Sequence, residues 1–238
     1  VKVRKAIQHA TDRQTISDSI FEGMESPADT VLATTVPYAN IGLQPYEYNL
    51  ETAKQLLDEA GWIEVEGKTY RQKEGKEFAI TLNYCVDNVT EKTIAEFYQS
   101  ELAKIGINLS LNGEEEQAHR DRMKAGNFDI TFNISWGSPY DPQSFLAGMR
   151  KPVYGDYAAQ QGLEEKEQID ETILKALKST DEVERQECYK YVLTTLHEEA
   201  VYIPVTYERN RAVYNSSVGN VLFKASQYEV PMNEMIKK

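Results

Sequence analysis

The chain has 238 residues, 41% apolar and 27% charged, an ordinary globular composition with room for one large domain or two small ones. Twenty-six Lys and Arg against 38 Asp and Glu leave a net charge of −12, which repels a phosphate backbone and excludes nucleic acid as the main partner. No apolar run approaches the roughly 20 residues that a membrane-spanning helix needs. Cys85 and Cys188 stand far apart with no CxxC or Cys/His pair, so neither a zinc ribbon nor a disulfide framework is indicated.

The chain opens at Val1, without Met or a leader pattern, and goes straight into helical periodicity, which reads as a piece of a longer chain. Val3, Ala6, Ile7, Ala10, Ile16 and Ile20 fall mostly three or four apart and predict one amphipathic helix over the first twenty residues. After a loop holding Pro37 and Pro45, Asn49 is placed to cap a helix through Ala53, Leu56, Leu57 and Ala60 that Gly61 ends. The pattern from Trp62 to Arg71 suggests a short hairpin, and Phe78, Ile80, Leu82 and Tyr84 alternate as a half-buried strand. A helix over 90–104, a strand through Ile107, Leu109 and Leu111, a helix over 116–125 and a strand over 128–134 follow. Strand, helix, strand, helix, strand is the order of an open α/β sheet. A long loop over 138–162, helices over 163–177 and 182–199 with Asp181 capping the second, and an extended stretch over 201–214 complete the chain.

Open α/β sheets take ligands outside the carboxyl ends of their strands. The loop after Ile134 is the candidate: Ser135-Trp136-Gly137-Ser138-Pro139-Tyr140-Asp141-Pro142 sets an indole and a phenol on a turn stiffened by Gly and two prolines. Rigid aromatics suit a flat or cationic ligand, and the plainer alternative is that Trp136 plugs the core beneath the loop. The run Glu114-Glu115-Glu116 reads as a solvated helix start, and His119 with one of these glutamates is the metal-site alternative. His197, among Leu196, Ala200 and Val201, reads as a buried polar contact. No GxSxG, Walker loop, GxGxxG or i, i+4 histidine pair is present, so no enzyme class is supported.

Val3-Arg4-Lys5-Ala6-Ile7 through Asp12-Arg13, then Ala53-Lys54-Gln55-Leu56-Leu57 to Ala60-Gly61-Trp62, resemble the large solute-binding proteins of ABC importers that carry oligopeptides, dipeptides and nickel. Val36-Pro37-Tyr38-Ala39-Asn40, Gly113-Glu114-Glu115-Glu116, Trp136-Gly137 through Asp141-Pro142, Gln160-Gln161-Gly162-Leu163 and Leu196-His197-Glu198-Glu199-Ala200-Val201-Tyr202 are similar to the nickel branch in particular. The resemblance implies an α/β, periplasmic-binding-protein-like lobe with a central mixed sheet flanked by helices. Residues 1–207 would be the second ligand-binding lobe, and 208–238 a segment returning toward the first.

It further implies a hinged binder, not an enzyme, that hands nickel or a nickel chelate to the transmembrane subunits of a permease, with an oligopeptide or dipeptide as the alternative cargo. Such a protein needs no cofactor, works as a monomer when whole, and sits outside the cytoplasm, periplasmic or lipid-anchored at the outer face of the cell membrane. Carried over residue by residue, Trp136 and Tyr140 match cleft-facing aromatics, while Arg120 and Tyr228 occupy positions that approach the cleft. Where the nickel branch places a metal-binding histidine after its Met-Arg-x-Pro segment, Met149-Arg150-Lys151-Pro152-Val153 is followed here by Tyr154. A phenol is a poor replacement for imidazole on nickel, so no protein metal ligand is assigned, Tyr154 stands as a ligand-binding candidate, and an organic chelator is expected to supply the donors.

Overall fold

Local hydrogen-bond chemistry decides where the first helix stops. In the computed structural model, which describes residues 1–135, 142–224 and 229–238, α1 (Lys2–His9) buries Ala6, Ile7 and Gln8. The single helix expected over the first twenty residues is broken into α1, the short α2 (Arg13–Thr15) and a π-helical turn, Ile16–Ile20. Polar side chains compete for the backbone at the break. Asp12 accepts from the amide and hydroxyl of Thr15 at 3.0 and 2.7 Å, and the Arg13 guanidinium donates to the Gln8 and Thr11 carbonyls.

Strand β1 (Ser26–Pro27) follows, and then α3 (Leu50–Glu59), whose cap is the expected Asn49: its side chain accepts the Thr52 amide at 3.0 Å. The hairpin expected within 62–71 forms farther on, between β2 (Gln72–Lys73) and β3 (Lys76–Glu77), with a single bridge from Ile63 to Gln72 in the expected stretch. Glu74 and Gly75, both at positive φ, supply the two-residue turn that a tight hairpin favours.

The predicted alternation then appears: β4 (Ala79–Cys85), α4 (Val89–Lys104), β5 (Asn108–Glu114), α5 (Glu116–Ala125) and β6 (Ile130–Thr131). The sheet order is β5-β4-β6, with both neighbours parallel to β4. The antiparallel part of the expected mixed sheet stands apart, in two-stranded units: β1 with β7 (Thr206–Tyr207), β2 with β3, and β8 (Val218–Gly219) with β9 (Ile236–Lys237). Strand β6 is far shorter than the expected 128–134, because Asn133 turns its side-chain oxygen onto the Ile134 amide at 2.9 Å and offers the backbone another partner than the ladder. The long loop over 138–162 contains two helices, α6 (Pro142–Gly148) and α7 (Asp156–Ala159). Helices α8 (Lys166–Lys178) and α9 (Glu182–Glu198) lie close to expectation, with Asp181 accepting the Val183 and Glu184 amides at 2.9 and 3.0 Å.

Apolar burial divides into two cores. One joins Ala6, Ile7, Leu57, Leu82, Leu102, Ile107 and Leu109, and so packs α1, α3 and α4 on one face of the sheet. The other joins Leu146, Ile169, Ile173, Val192 and Leu196 of α6, α8 and α9. The stretch after α9 runs between them. Val201 and Tyr202 pack on the second core, while Ile203 and Val205 pack on the first. Of the expected extended stretch over 201–214, only Thr206–Tyr207 pairs as a strand, with β1.

Polar bonds fasten that stretch to the chain's first residues. Arg4 pairs with Glu199 at 2.7 Å, Gln8 donates to the Tyr202 carbonyl, and Arg13, buried, donates to the carbonyls of Pro204 at 2.7 Å and Tyr46 at 3.1 Å. Beyond it, Arg211 pairs with the buried carboxylate of Glu25 at 3.2 Å. The last thirty residues leave Val213, Tyr214, Phe223, Val230 and Met232 exposed. Residues 44–47 are strapped across the seam: His197 Nε2 donates to the Gln44 carbonyl at 2.9 Å, His9 Nδ1 to that of Glu47 at 2.7 Å, and the Tyr46 ring lies against both imidazoles.

Two outcomes follow for the folded chain. Arg13→Met, which leaves the Pro204 and Tyr46 carbonyls without their donor, lowers stability by about 2–4 kcal/mol in urea denaturation; a loss below about 1 kcal/mol would show that the seam does not depend on it. Burial pushes the His197 imidazole below its ordinary value of 6.5. The unfolded chain then binds a proton that the fold excludes, so this group's contribution is complete above that value and is lost as pH falls through the folded value. His197→Gln, which keeps a donor for Gln44 but cannot charge, should therefore flatten the fall of the urea midpoint below about pH 6.5; an unchanged slope counts against the strap.

Candidate functional site

Parallel strands deliver their carboxyl ends to one side of the sheet, and here the chain moves from β4 to β5 on one flank and then crosses to β6 on the other. That reversal of direction is where an open sheet leaves a crevice. Cys85, Glu114 and the stretch 132–135 lie at those ends, and α5 begins two residues beyond β5.

Helix α5 sets Arg120 beside this crevice. The guanidinium is exposed and pairs with Glu116 one turn earlier, at 3.1 and 2.5 Å. The Glu116 carboxylate raises the Arg120 pKa first, and the Tyr154 phenol and Cys85 thiol are near enough to add to it. Two of the five expected site residues, Arg120 and Tyr154, are thus brought to one place although 34 positions separate them in the chain. Trp136, Tyr140 and Tyr228 lie outside the described residues. A permanent cation beside a phenol suits a carboxylate-bearing ligand, since guanidinium offers paired donors at fixed spacing.

The metal-site alternative at the glutamate run is overturned by geometry. Glu114 is taken by Arg122, whose Nε and Nη2 donate to its two oxygens at 2.6 and 2.5 Å and hold its carboxyl below the usual range. His119 is buried against the sheet with Nε2 at 2.8 Å from the Thr131 hydroxyl. His9 and His197 donate to carbonyls in the strap. Among the described residues, no group of three His, Cys, Asp or Glu side chains could hold a metal ion. Two surface hollows, one lined by Leu32, Leu193 and His197 and one by Arg71 and Lys104, include neither Arg120 nor Tyr154.

Sequence reading missed a polar cluster at the same end of the sheet. Asn133 donates through Nδ2 to the Tyr154 carbonyl at 3.1 Å and to Asp156 Oδ2 at 2.9 Å. Asp156 is buried, and burial raises its carboxyl pKa while the nearby Tyr202 hydroxyl and the bond from Asn133 oppose the rise. The Tyr202 hydroxyl accepts from Gln160 at 2.9 Å, and the Gln160 oxygen accepts from Lys166 at 3.1 Å. An amide between Phe132 and Ile134 in an alternating run was the available signal.

Comparison with known proteins identifies the family. The family model described as Bacterial extracellular solute-binding proteins, family 5 Middle, matches residues 1–156. The nickel-binding periplasmic protein of Escherichia coli (strain K12) is 39% identical over 233 residues, which is 98% of this chain and 44% of the relative. The oligopeptide-binding protein AppA of Bacillus subtilis is 34% identical over 132 residues, 54% of this chain and 24% of the relative. The crystal structure of NikA from Brucella suis in complex with Fe(III)-EDTA superposes with a TM-score of 0.93 at 43% identity, covering all of this chain and 48% of that one. The chain therefore spans about half the length, or less, of the proteins it matches.

Proposed function

The chain belongs to the bacterial extracellular solute-binding proteins of family 5, and from that premise we propose that it forms one lobe of an importer component that captures nickel as an organic chelate. Residues 1–207 make the lobe, and 208–238 return toward a first lobe that closes the cleft. The loaded protein delivers its cargo to the transmembrane subunits of an ABC permease and acts as a monomer outside the cytoplasm, in the periplasm or lipid-anchored at the membrane's outer face. The family is one of binding proteins rather than enzymes, and the chelate is cargo, not a cofactor. Among the described residues, no helix is long and apolar enough to cross a membrane.

The observation that carries this reading is the nearness of Arg120, held by Glu116, to Tyr154 at the carboxyl end of the parallel sheet. Neither side chain is a good nickel ligand, yet both suit the carboxylate rim of a chelator that already encloses its metal. The Fe(III)-EDTA bound by the Brucella suis protein is a molecule of that kind. Trp136, Tyr140 and Tyr228 are proposed as further contacts. An oligopeptide is the second reading, favoured by the Bacillus subtilis relative; it also offers a carboxylate, but needs a long groove with backbone partners.

Titration of the two-lobed protein separates these readings. A nickel–histidine chelate should bind and change tryptophan fluorescence, chelator-free Ni²⁺ should bind weakly, and Trp136→Ala should cost about 1–3 kcal/mol, as for an anchor residue. Tight binding of bare Ni²⁺, or tighter binding of a peptide than of the chelate, would replace the reading. Residues 1–238 alone should melt cooperatively, since the lobe buries its own cores, yet show no chelate binding up to about millimolar, worth only about −4 kcal/mol. Micromolar binding by this lobe would show that one wall suffices.

A further inference from the structure

We propose that Asn133 is a positioning residue of the ligand site, holding the Tyr154 segment in register with the exit of β6; this rests on the cleft reading above. The geometry is a clamp made by one amide. Its oxygen accepts the Ile134 amide at 2.9 Å, which fixes the side chain against the strand end. Its nitrogen donates both to the Tyr154 carbonyl at 3.1 Å and to Asp156 Oδ2 at 2.9 Å. Three bonds from one side chain thus join two segments 21 to 23 positions apart.

The far jaw is itself held. Gly155, between Tyr154 and Asp156, sits at φ +90, a conformation that glycine alone adopts without strain, and begins α7. Asp156 is 4% exposed. The Tyr202 hydroxyl beside it is braced by Gln160, and Gln160 by Lys166, which also donates to the Met149 carbonyl at 3.2 Å and to Asp170 at 2.7 Å. The place of Tyr154 is therefore referred to two rigid bodies, the sheet through Asn133 and the α6–α8 packing through Lys166.

Energetics separate positioning from mere support. Asn133 is exposed, so water replaces its bond to the Tyr154 carbonyl, while its loss also leaves the buried Asp156 Oδ2 without that donor, a modest cost in stability. A carboxyl as dry as that of Asp156 is costly to keep and adds little to stability. What the clamp adds is geometry, and a site loosened by about an ångström loses far more function than stability.

The experiment measures Fe(III)-EDTA binding by calorimetry, and the thermal midpoint, in the two-lobed protein. Asn133→Ala should weaken binding about tenfold with a midpoint within a few degrees of the parent. Asp156→Asn, whose amide oxygen still accepts from Asn133, should stay within about twofold. In a Tyr154→Ala background, Asn133→Ala should cause little further loss, because the residue it positions is gone. Full affinity for Asn133→Ala beside a weakened Tyr154→Ala overturns the clamp and leaves the cleft reading standing, as does an undiminished Asn133 effect in the Tyr154→Ala background. Unchanged binding in both Tyr154→Ala and Trp136→Ala overturns the cleft reading and the clamp with it. Should Asn133→Ala fail to fold, Asn133→Asp, which keeps the bond from Ile134 but cannot donate, is read in its place.

Discussion

The fold is referred to one stretch, residues 201–207, laid between two apolar cores. Neither core is large, and each would expose an apolar flank if the other were removed. Val201 and Tyr202 fill one flank, while Ile203 and Val205 fill the other. Burying side chains of this size is worth about 1.5–3 kcal/mol each, but apolar packing alone does not set the register of a strand with core on both sides. Register comes from the polar bonds: Gln8 on the Tyr202 carbonyl and Arg13 on the Pro204 carbonyl. Arg13 is a demanding choice, since burial lowers its pKa and every unpaired N–H would be expensive. It is tolerated because carbonyl oxygens from several segments, with the Gln8 side chain, surround it.

The same stretch reaches the candidate site. Tyr202 fills the seam with its backbone held by Gln8, and its hydroxyl stands beside Asp156 and Gln160. A displacement of the seam would therefore be felt at the carboxyl end of the sheet, through the dry carboxyl that Asn133 grips. Core closure and site geometry share a residue, which explains why a polar cluster of doubtful value to stability is found at this junction.

Local signals were legible in the sequence, and distant ones were not. Asn49 and Asp181 announce their helices because the cap bond spans two or three residues. Helix α5 and strand β4 were read nearly to the residue from spacing alone. The first helix was read too long because part of what holds its break, the bonds from Arg13 to the Pro204 and Tyr46 carbonyls, is set by the fold. Strand β6 was read too long because Phe132 and Ile134 keep the alternation after Asn133 has diverted the backbone. At the site, Arg120 and Tyr154 were named by family resemblance, not by any spacing rule. Asn133 and Asp156, 23 positions apart, carry no pattern that links them before the chain folds.

The seam also orders events in time. Its bonds join positions 191 to 195 apart, from Arg4, Gln8 and Arg13 to Glu199, Tyr202 and Pro204. Closing a loop of that length costs about 5 kcal/mol of chain entropy before any contact repays it. The first helix emerges from synthesis almost two hundred residues ahead of the strand it needs, so it waits, amphipathic and unpartnered, until nearly the whole lobe has been made. Folding of this kind is slow and ends abruptly. The lock closes only when the last segment it needs has arrived.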